Sequence, residues 1–341
     1  MKISHIVFLI TVLVVSGCGN EKLSSINFDK AIIRNNTDWF DTEGRPIEAH
    51  DGGISRFGKK FYWYGSSYAG NPRGLYGEKN KDKNNGFNVY SSYDLMNWKY
   101  EGVALEVPKS GWGAIGSSHR AHVIYNKATR KYVMWFFHYT RKYPRVMATV
   151  AVADEPAGPF KIVGRRKTAA PNGYAQDLNV FKDEDEKAYL VYDDGKRNIR
   201  VDLLTDDYLF CTQKTVIALT SAHEAPAMAK YRGKYIVAGS GVRGWSGTDT
   251  HYAVAECPLG PYSEKKLMSK KRTWDSQITD FVYISESNTL FAMCDAWWNP
   301  DRADLNKSRY FWLPVTLQPE QNYAQMYYLS EFNPFKSLSL K

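Results

Sequence analysis

A short hairpin pattern that recurs along the chain limits what this sequence can fold into more than any other feature. Each copy has a turn with Gly or charged residues, followed by a strand of aromatic and β-branched residues. The copies begin about every 45 to 70 residues, the interval expected for four-stranded propeller blades with loops of variable length. We therefore predict an all-β, five-bladed β-propeller, although the strand count alone also permits a two-sheet sandwich. The segments predicted as inner strands are 58–64, 130–136, 186–192, 233–238 and 288–293.

The composition is that of one large globular domain. Of the 341 residues, 43% are hydrophobic and 15% aromatic, which is enough apolar material to exclude a disordered chain. No segment beyond the N-terminus keeps a helical period, and no linker rich in Pro, Gly or Ser divides the chain. The formal net charge is +9, but the Lys and Arg residues form no concentrated stripe. We therefore predict a single β domain and no nucleic-acid partner.

The N-terminal residues have the features of an export signal. Lys2 gives a positive n-region, and residues 6–15 form an apolar core that is too short to span a membrane as a mature helix. The sequence Val15-Ser16-Gly17-Cys18 resembles the bacterial lipobox, which implies cleavage before Cys18 and lipidation of Cys18; a plain secretory signal is the alternative. No Asp stands directly after Cys18, so the resemblance favours an outer-membrane lipoprotein that faces the periplasm or the cell surface and touches the membrane only through its lipid. The predicted divisions are a signal peptide over 1–17, a lipidated Cys and tether over 18–30, and the propeller domain over 31–341.

Three carboxyl residues stand just before or within predicted strands, where a propeller brings side chains together at one end of its channel. Asp51 precedes Gly52-Gly53, a context that also suits an ordinary turn. Asp177 lies inside a strand, ahead of an acidic hairpin. Glu224 is flanked by small apolar residues, which suits an acid with a raised pKa. A buried Glu paired with an Arg is the structural alternative for Glu224.

Cleavage of a glycosidic bond requires side chains of this type. One carboxylic acid protonates the departing oxygen, and one carboxylate acts on the opposite side of the sugar. An ionised Asp177 close to Glu224 disfavours ionisation of Glu224 and keeps it protonated near neutral pH. The three carboxyl groups are therefore candidates for such a catalytic set, although their spacing alone also fits ordinary turn or structural residues.

With these residues in this order, the chain resembles glycoside hydrolase family 43. The likeness rests on His50-Asp51, on Gln176-Asp177-Leu178-Asn179-Val180-Phe181 and on Glu224-Ala225-Pro226, and it extends over about residues 45 to 315. The resemblance implies a five-bladed propeller with Asp51 as base, Asp177 as pKa modulator and Glu224 as acid. Within the family, the chain is most similar to the branch of galactan 1,3-β-galactosidases.

Two positions depart from that branch. The branch usually has Gly where Asp51 stands, and it uses a polar residue of blade five, which Gln277 resembles, to handle water. This chain has both Asp51 and Gln277. The resemblance therefore implies an ordinary inverting mechanism with Asp51 as base and with Gln277 bound to substrate or to the attacking water. His119, beside Arg120, stands where the branch usually has Glu, so a different sugar hydroxyl is expected to be recognised there. An ordinary rim histidine is the alternative.

Further residues are predicted to bind the sugar. Trp112 and Trp245 have Gly neighbours, which places them in loops where their rings can stack on a sugar. Arg309 is a candidate for binding hydroxyl or carboxylate groups. The full set of predicted substrate-binding residues is His50, Trp112, His119, Arg120, Trp245, Gln277 and Arg309.

The predicted function is an inverting, exo-acting glycosidase for the side chains of plant-type polysaccharides. β-Galactose is the predicted sugar, with α-L-arabinofuranose and β-xylose as alternatives. A retaining β-fructosidase is disfavoured because Asp177 and Glu224 lack the Arg-Asp-Pro and Glu-Cys contexts of that group. A second hypothesis is a glycan-binding surface lipoprotein that has lost its activity.

No cofactor or metal is predicted to be required. Some relatives hold a calcium or a water near the channel axis, where His50 could serve; a structural role is the alternative for this histidine. The sequence contains no loop of closely spaced oxygen ligands of the kind that binds calcium.

Overall fold

The computed structural model describes residues 28–68, 86–106, 116–140, 147–269, 271–297, 305–338 and 340. Cys18 and Trp112 lie outside these residues. The described strands form five four-stranded antiparallel sheets in which consecutive strands are neighbours. Short helical turns are present at Phe28–Lys30, Lys271–Asp275 (α1), Leu305–Lys307 and Pro319–Gln321. Within this part of the chain, no helix is long and apolar enough to cross a membrane.

Each sheet is one propeller blade. Blade 1 contains β2 (His50–Phe57), β3 (Lys60–Ser66), β4 (Gly86–Ser92) and β5 (Lys99–Glu106). Blade 2 contains β6 (Gly116–Asn126), β7 (Lys131–Thr140), β8 (Met147–Ala153) and β9 (Lys161–Arg166). Blade 3 contains β10 (Gln176–Lys182), β11 (Ala188–Asp193), β12 (Ile199–Leu204) and β13 (Cys211–Leu219). Blade 4 contains β14 (His223–Tyr231), β15 (Lys234–Gly241), β16 (Thr250–Ala255) and β17 (Lys266–Leu267), and blade 5 contains β18 (Gln277–Ile284), β19 (Thr289–Ala296), β20 (Arg309–Gln318) and β21 (Tyr323–Met326).

The first strands of the blades surround the channel and close into a ring. Each contacts the first strand of the next blade, and β18 contacts β2. The two ends of the described chain also meet, because β1 (Ile33–Arg34) pairs with β22 (Glu331–Phe332) in an antiparallel ladder. The prediction of an all-β, five-bladed propeller is confirmed.

The hydrophobic core consists of layers between neighbouring blades. Between blades 5 and 1, for example, the ring of Trp63 packs against those of Trp98 and Trp312 at centroid distances of 5.3 and 5.5 Å. A sheet covered on both faces in this way needs apolar side chains on both sides of its central strands.

This packing corrects the assignment of the inner strands. The segments predicted as inner strands, 58–64, 130–136, 186–192, 233–238 and 288–293, correspond to β3, β7, β11, β15 and β19, which are the second strands of the blades. The second strands carry the apolar runs because neighbouring blades cover both their faces; β11, for example, is buried along its whole length. The true inner strands precede them and carry polar residues toward the channel.

Every inner strand has a β-bulge near its first residues. The register shifts lie between His50 and Gly53, His119 and His122, Gln176 and Leu178, Glu224 and Ala227, and Ile278 and Asp280. In three of these bulges a non-glycine residue has left-handed backbone angles: Asp51 (φ 53°), Arg120 (φ 61°) and Ala225 (φ 52°). A bulge redirects the side chains that flank it. The five bulges therefore turn polar side chains toward one another at the same end of the channel.

A left-handed helical turn leads into the fifth inner strand. In α1, Arg272, Thr273 and Trp274 have φ values of 54°, 53° and 52°, a conformation that costs each L-residue about 1–2 kcal/mol. The turn is held by the buried hydroxyl of Thr273, which donates to the Thr248 carbonyl at 2.7 Å. It ends at Asp275, two residues before Gln277, the first residue of β18.

Candidate active site

Glu224 is the second residue of β14 and lies buried at the bulged end of blade 4. Its Oε1 accepts hydrogen bonds from the backbone N–H of Arg243 and from Nε2 of Gln277, both at 3.2 Å, and its Oε2 accepts from Nη1 of Arg197 at 3.1 Å. Burial and then the negative charge of Asp177 raise the pKa of Glu224 to about 7, against the lowering effect of Arg197. A carboxyl group with a pKa near 7 can donate a proton at neutral pH.

Asp177 is joined to the acid through the backbone of blade 4. Its Oδ2 accepts from the N–H of Ala225, the residue after Glu224, at 3.0 Å, and from Nη2 of Arg120 at 3.3 Å. Burial lowers the pKa of the Arg120 guanidinium, but the surrounding carboxylates, Asp177 first, bring it above its ordinary value. Arg120 is therefore a permanent buried cation between the carboxyl groups of blades 1 and 3.

Gln277 joins the acid to Arg120. Its Nε2 donates to Oε1 of Glu224 and to Oγ of Ser240, both at 3.2 Å. Its Oε1 accepts from Nη2 of Arg120 and from Nε1 of Trp297, both at 3.0 Å. The two ends of the amide thus have different partners, which fixes its orientation.

Arg197 and Asp193 are site residues that the sequence analysis did not identify. Nη1 of Arg197 lies 2.7 Å from Oδ2 of Asp193 and 3.1 Å from Oε2 of Glu224. Burial raises the pKa of Asp193 to about 6, against the opposing effect of Arg197. Asp193 ends β11 and Arg197 follows that strand, whose end lies beside the start of β10 and so beside Asp177. The antiparallel pairing of β10 with β11 could have identified both residues from the sequence. Using it would have required recognising β10 as the inner strand of the blade.

Asp51 is the second residue of β2 in blade 1 and is only 1% exposed. Its Oδ1 accepts from Oγ of Ser66 at 2.8 Å and from the N–H of Arg120 at 3.2 Å. Its Oδ2 is hydrogen-bonded to the hydroxyl of Tyr68 and lies 3.1 Å from Nδ1 of His119. Burial raises the pKa of Asp51, but His119, Arg120 and Tyr68 together bring it below its ordinary value. Asp51 is therefore a carboxylate at neutral pH.

Tyr68 and His119, the two side chains that contact Oδ2 of Asp51, belong to an aromatic cluster. The rings of Tyr68 and His119 stack at 5.7 Å, and both contact Trp245, at 5.4 and 5.8 Å. Trp245 in turn meets Trp297 edge to face at 4.7 Å. Trp245 comes from the loop after β15, as the sequence predicts, whereas Tyr68 was not among the predicted sugar-binding candidates.

His50 lies behind the site. Its Nδ1 is 3.1 Å from Oδ1 of Asp295, and its ring stacks on Tyr310 at 4.8 Å. Oδ2 of the same Asp295 accepts the backbone N–H of Asp51 at 2.7 Å. Because His50 is completely buried, its contacts are those of a residue that supports the Asp51 backbone.

A second polar cluster lies further along the channel. Oδ1 of Asp280 accepts from Nδ2 of Asn179 at 2.8 Å, and Oδ2 accepts from the N–H of Ile54 at 3.1 Å. Burial raises the pKa of Asp280 to about 7, and burial together with the charge of Arg120 lowers that of neighbouring His122 to about 3.

Arg309 stands apart from the other predicted site residues. Its Nε donates to Oδ1 of Asp38 at 2.9 Å, and its Nη1 bonds Asn36. The remaining predicted residues of the described chain, His50, Asp51, His119, Arg120, Asp177, Glu224, Trp245 and Gln277, form one connected set. In the described residues, no group of three or more His, Cys, Asp and Glu side chains could hold a metal ion.

Comparison with protein families gives a match over residues 45–298 to the family described as Glycosyl hydrolases family 43. No functionally curated protein matches the chain.

Solved structures with the same architecture include a family 43 β-1,3-galactosidase bound to galactodeoxynojirimycin. It is 28% identical, with a TM-score of 0.76, and the match covers 88% of this chain and 100% of that one. An exo-β-1,3-galactanase from Clostridium thermocellum is 26% identical, with a TM-score of 0.79 and coverage of 89% and 67%. An exo-β-1,3-galactanase from Phanerochaete chrysosporium, solved with β-1,3-galactotriose, is 28% identical, with a TM-score of 0.76 and coverage of 88% and 67%.

Proposed function

Because the chain belongs to family 43 of the glycosyl hydrolases, enzymes that hydrolyse O-glycosyl bonds of carbohydrates, we propose that it is an inverting, exo-acting β-1,3-galactosidase. The choice of sugar and linkage is supported by the similar structures, whose names describe β-1,3-galactosidases and exo-β-1,3-galactanases. Polar side chains at the bulged ends of the inner strands provide the chemistry.

The observation that carries this proposal is the environment of Glu224. Its carboxyl group is buried beside a second acid, and its pKa is raised to about 7. An acid catalyst of glycoside hydrolysis must hold its proton until the glycosidic oxygen departs. Glu224 meets this requirement at neutral pH, and Gln277 and Arg197 fix the direction of its carboxyl group.

In the proposed mechanism, Glu224 protonates the departing oxygen while water attacks the anomeric carbon from the opposite face. Asp177 keeps Glu224 protonated, and with Arg120 it balances the charge of the site. The attacking water lies on the side of blades 1 and 2, where Asp51, Tyr68 and His119 are hydrogen-bonded to one another. Trp245 provides the adjacent aromatic surface.

Hydrolysis of defined oligosaccharides tests the proposal. We expect the purified protein to release galactose stepwise from β-1,3-galactotriose and to leave arabinan and xylan oligosaccharides of equal length intact. Proton NMR of the first turnovers should show α-galactose, because inversion changes the β anomer to α. Release of β-galactose first, or equal activity in Glu224→Gln, would overturn the proposal.

A lipid anchor on Cys18 is the second part of the proposal and is supported by the Val15-Ser16-Gly17-Cys18 sequence. Cells that express the full chain should incorporate labelled palmitate into it, and the label should be absent from Cys18→Ser. Equal labelling of the variant would contradict the anchor and leave the enzymatic proposal untouched.

A further inference from the structure

The carboxylate of Asp51 has no acceptor position left for a water molecule. A carboxylate offers about four lone-pair positions, and four donors surround this one: Oγ of Ser66, the N–H of Arg120, the hydroxyl of Tyr68 and the ring of His119. The side chain is also buried, with 1% of the residue exposed. A group that takes a proton from water must reach that water within hydrogen-bond distance. Asp51 is therefore poorly placed to do so itself.

The hydrogen bonds around Asp51 also determine the tautomer of His119. The hydroxyl of Tyr68 keeps its proton, because burial and the charge of Asp51 raise its pKa well above the ordinary value. That single proton goes to Oδ2 of Asp51. Nδ1 of His119 lies 2.6 Å from the Tyr68 oxygen and 3.1 Å from Oδ2, so it satisfies both acceptors only as an N–H donor. In the neutral ring, the lone pair is then on Nε2.

His119 and the acid border the same loop. The loop after β15 places the N–H of Arg243 on Glu224 at 3.2 Å and the ring of Trp245 at 5.8 Å from that of His119. His119 also precedes Arg120, whose guanidinium contacts Asp177. The imidazole and the proton donor thus border one loop from two different blades, 2 and 4, and an inverting mechanism requires its acid and its base to act from separate sides of the sugar.

We propose that His119 is the catalytic base, and that Asp51 acts through it as a positioning residue that holds the Nδ1–H tautomer. This inference rests on the proposed glycosidase function. As water attacks, its oxygen bonds to the anomeric carbon and its proton goes to Nε2 of His119. The bond to the leaving oxygen breaks, and that oxygen takes the proton of Glu224. Exchange with solvent then returns the proton from His119 and restores the acid.

Azide rescue tests which residue is the base. Azide needs no deprotonation and can occupy the space left by a shortened base. We expect His119→Ala to lose on the order of 10²–10⁴ in kcat on an activated aryl β-galactoside. Added azide should restore turnover and give α-galactosyl azide. In Asp51→Ala, where the imidazole still fills the site, azide should restore little. His251→Ala, in β16, is the matched control and should retain wild-type turnover.

The opposite pattern, with rescue in Asp51→Ala and not in His119→Ala, would overturn the inference. His119→Gln, which keeps most of the side-chain volume, serves if His119→Ala does not fold, and it should lose turnover to a similar degree. Failure of the proposed function is a different outcome, because the wild-type protein would then show no turnover dependent on Glu224.

The role of Asp51 has its own spectroscopic test. In ¹⁵N NMR of the neutral imidazole, the ring of His119 should show a protonated Nδ1 and an unprotonated Nε2, assigned by loss of the signals in His119→Gln. Asp51→Asn should shift the ring toward the other tautomer, which a purely structural role of Asp51 would not do. An unchanged tautomer in Asp51→Asn would contradict the positioning role.

Discussion

The guanidinium of Arg197 links two buried carboxyl groups, with Nη1 3.1 Å from Oε2 of Glu224 and 2.7 Å from Oδ2 of Asp193. Its charge lowers the pKa of Glu224, whereas burial and Asp177 raise it, and the outcome is a value of about 7. The proton affinity of the proposed acid is thus raised most by burial, and on top of this it depends on the balance between two charges of opposite sign on blade 3.

We expect this balance to shift in opposite directions when either charge is removed. Activity on a β-1,3-linked substrate requires protonated Glu224, so kcat/KM falls as pH rises through its pKa. Asp177→Asn removes a negative charge, which lowers the pKa of Glu224 and moves the basic limb of the profile to lower pH. Arg197→Met removes a positive charge and moves that limb to higher pH. The measurement is kcat/KM against pH for each variant.

Arg200→Met is the matched control for Arg197→Met. Nε of Arg200 bonds Asp194 at 2.9 Å, so the same substitution there should leave the basic limb in place. Shifts of the same sign in Asp177→Asn and Arg197→Met would show that their charges do not set the proton affinity of the acid.

Loss of the acid should depend on the leaving group. Glu224→Gln cannot donate a proton, so we expect kcat on β-1,3-galactobiose to fall on the order of 10²–10⁴. A dinitrophenyl galactoside needs little protonation, and its hydrolysis should fall much less. Glu256→Gln, at an exposed ion pair with Lys234, is the control. Equal losses on both substrates would contradict the role of Glu224 as acid.

Blade number and the positions of the three carboxyl groups could be predicted from the sequence because both depend on a repeat. Each blade repeats one hairpin pattern, and Asp51, Asp177 and Glu224 stand at equivalent ends of three inner strands. Tyr68 and Arg197 could not be found in this way. They follow the second strands of their blades, and only the folded register brings them to those carboxyl groups.

Arg309 is a residue that the sequence predicts for the site but that the fold places elsewhere. It begins β20 directly opposite Ala296 in the ladder, and a cation at that position is a reasonable candidate for the site. Its partner, however, is Asp38 of the N-terminal segment, and nothing in the local sequence indicates that pairing. The second strands were mistaken for inner strands because a high apolar content indicates only that a strand is buried. The inner strands of this propeller carry polar residues instead, because they face the channel.

Stability should depend on pH through Asp280. Burial raises its pKa in the folded protein to about 7, from an ordinary value of 3.8. Between these values the folded state binds more protons than the unfolded state, so the free energy of unfolding falls as pH rises, by at most about 1.4 kcal/mol per pH unit. Asp280→Asn lacks this dependence.

The variant should therefore gain stability relative to the wild type from pH 5 to pH 8 in urea unfolding. A constant difference across this range would rule out the raised pKa. Glu264→Gln, at an exposed position, should show no such trend.

Two hairpin turns offer a reciprocal test of backbone strain. Gly58, between β2 and β3, and Arg130, just before β7, are exposed and left-handed, with φ values of 62° and 56°. This region disfavours residues with a Cβ atom by about 1–2 kcal/mol. A Cβ at position 58 would meet no atom within 4 Å, so the effect of Gly58→Ala is conformational. We expect urea unfolding to show a loss of about 1 kcal/mol for Gly58→Ala and a gain of similar size for Arg130→Gly. Effects of equal sign would show that strain does not determine the stability of these turns.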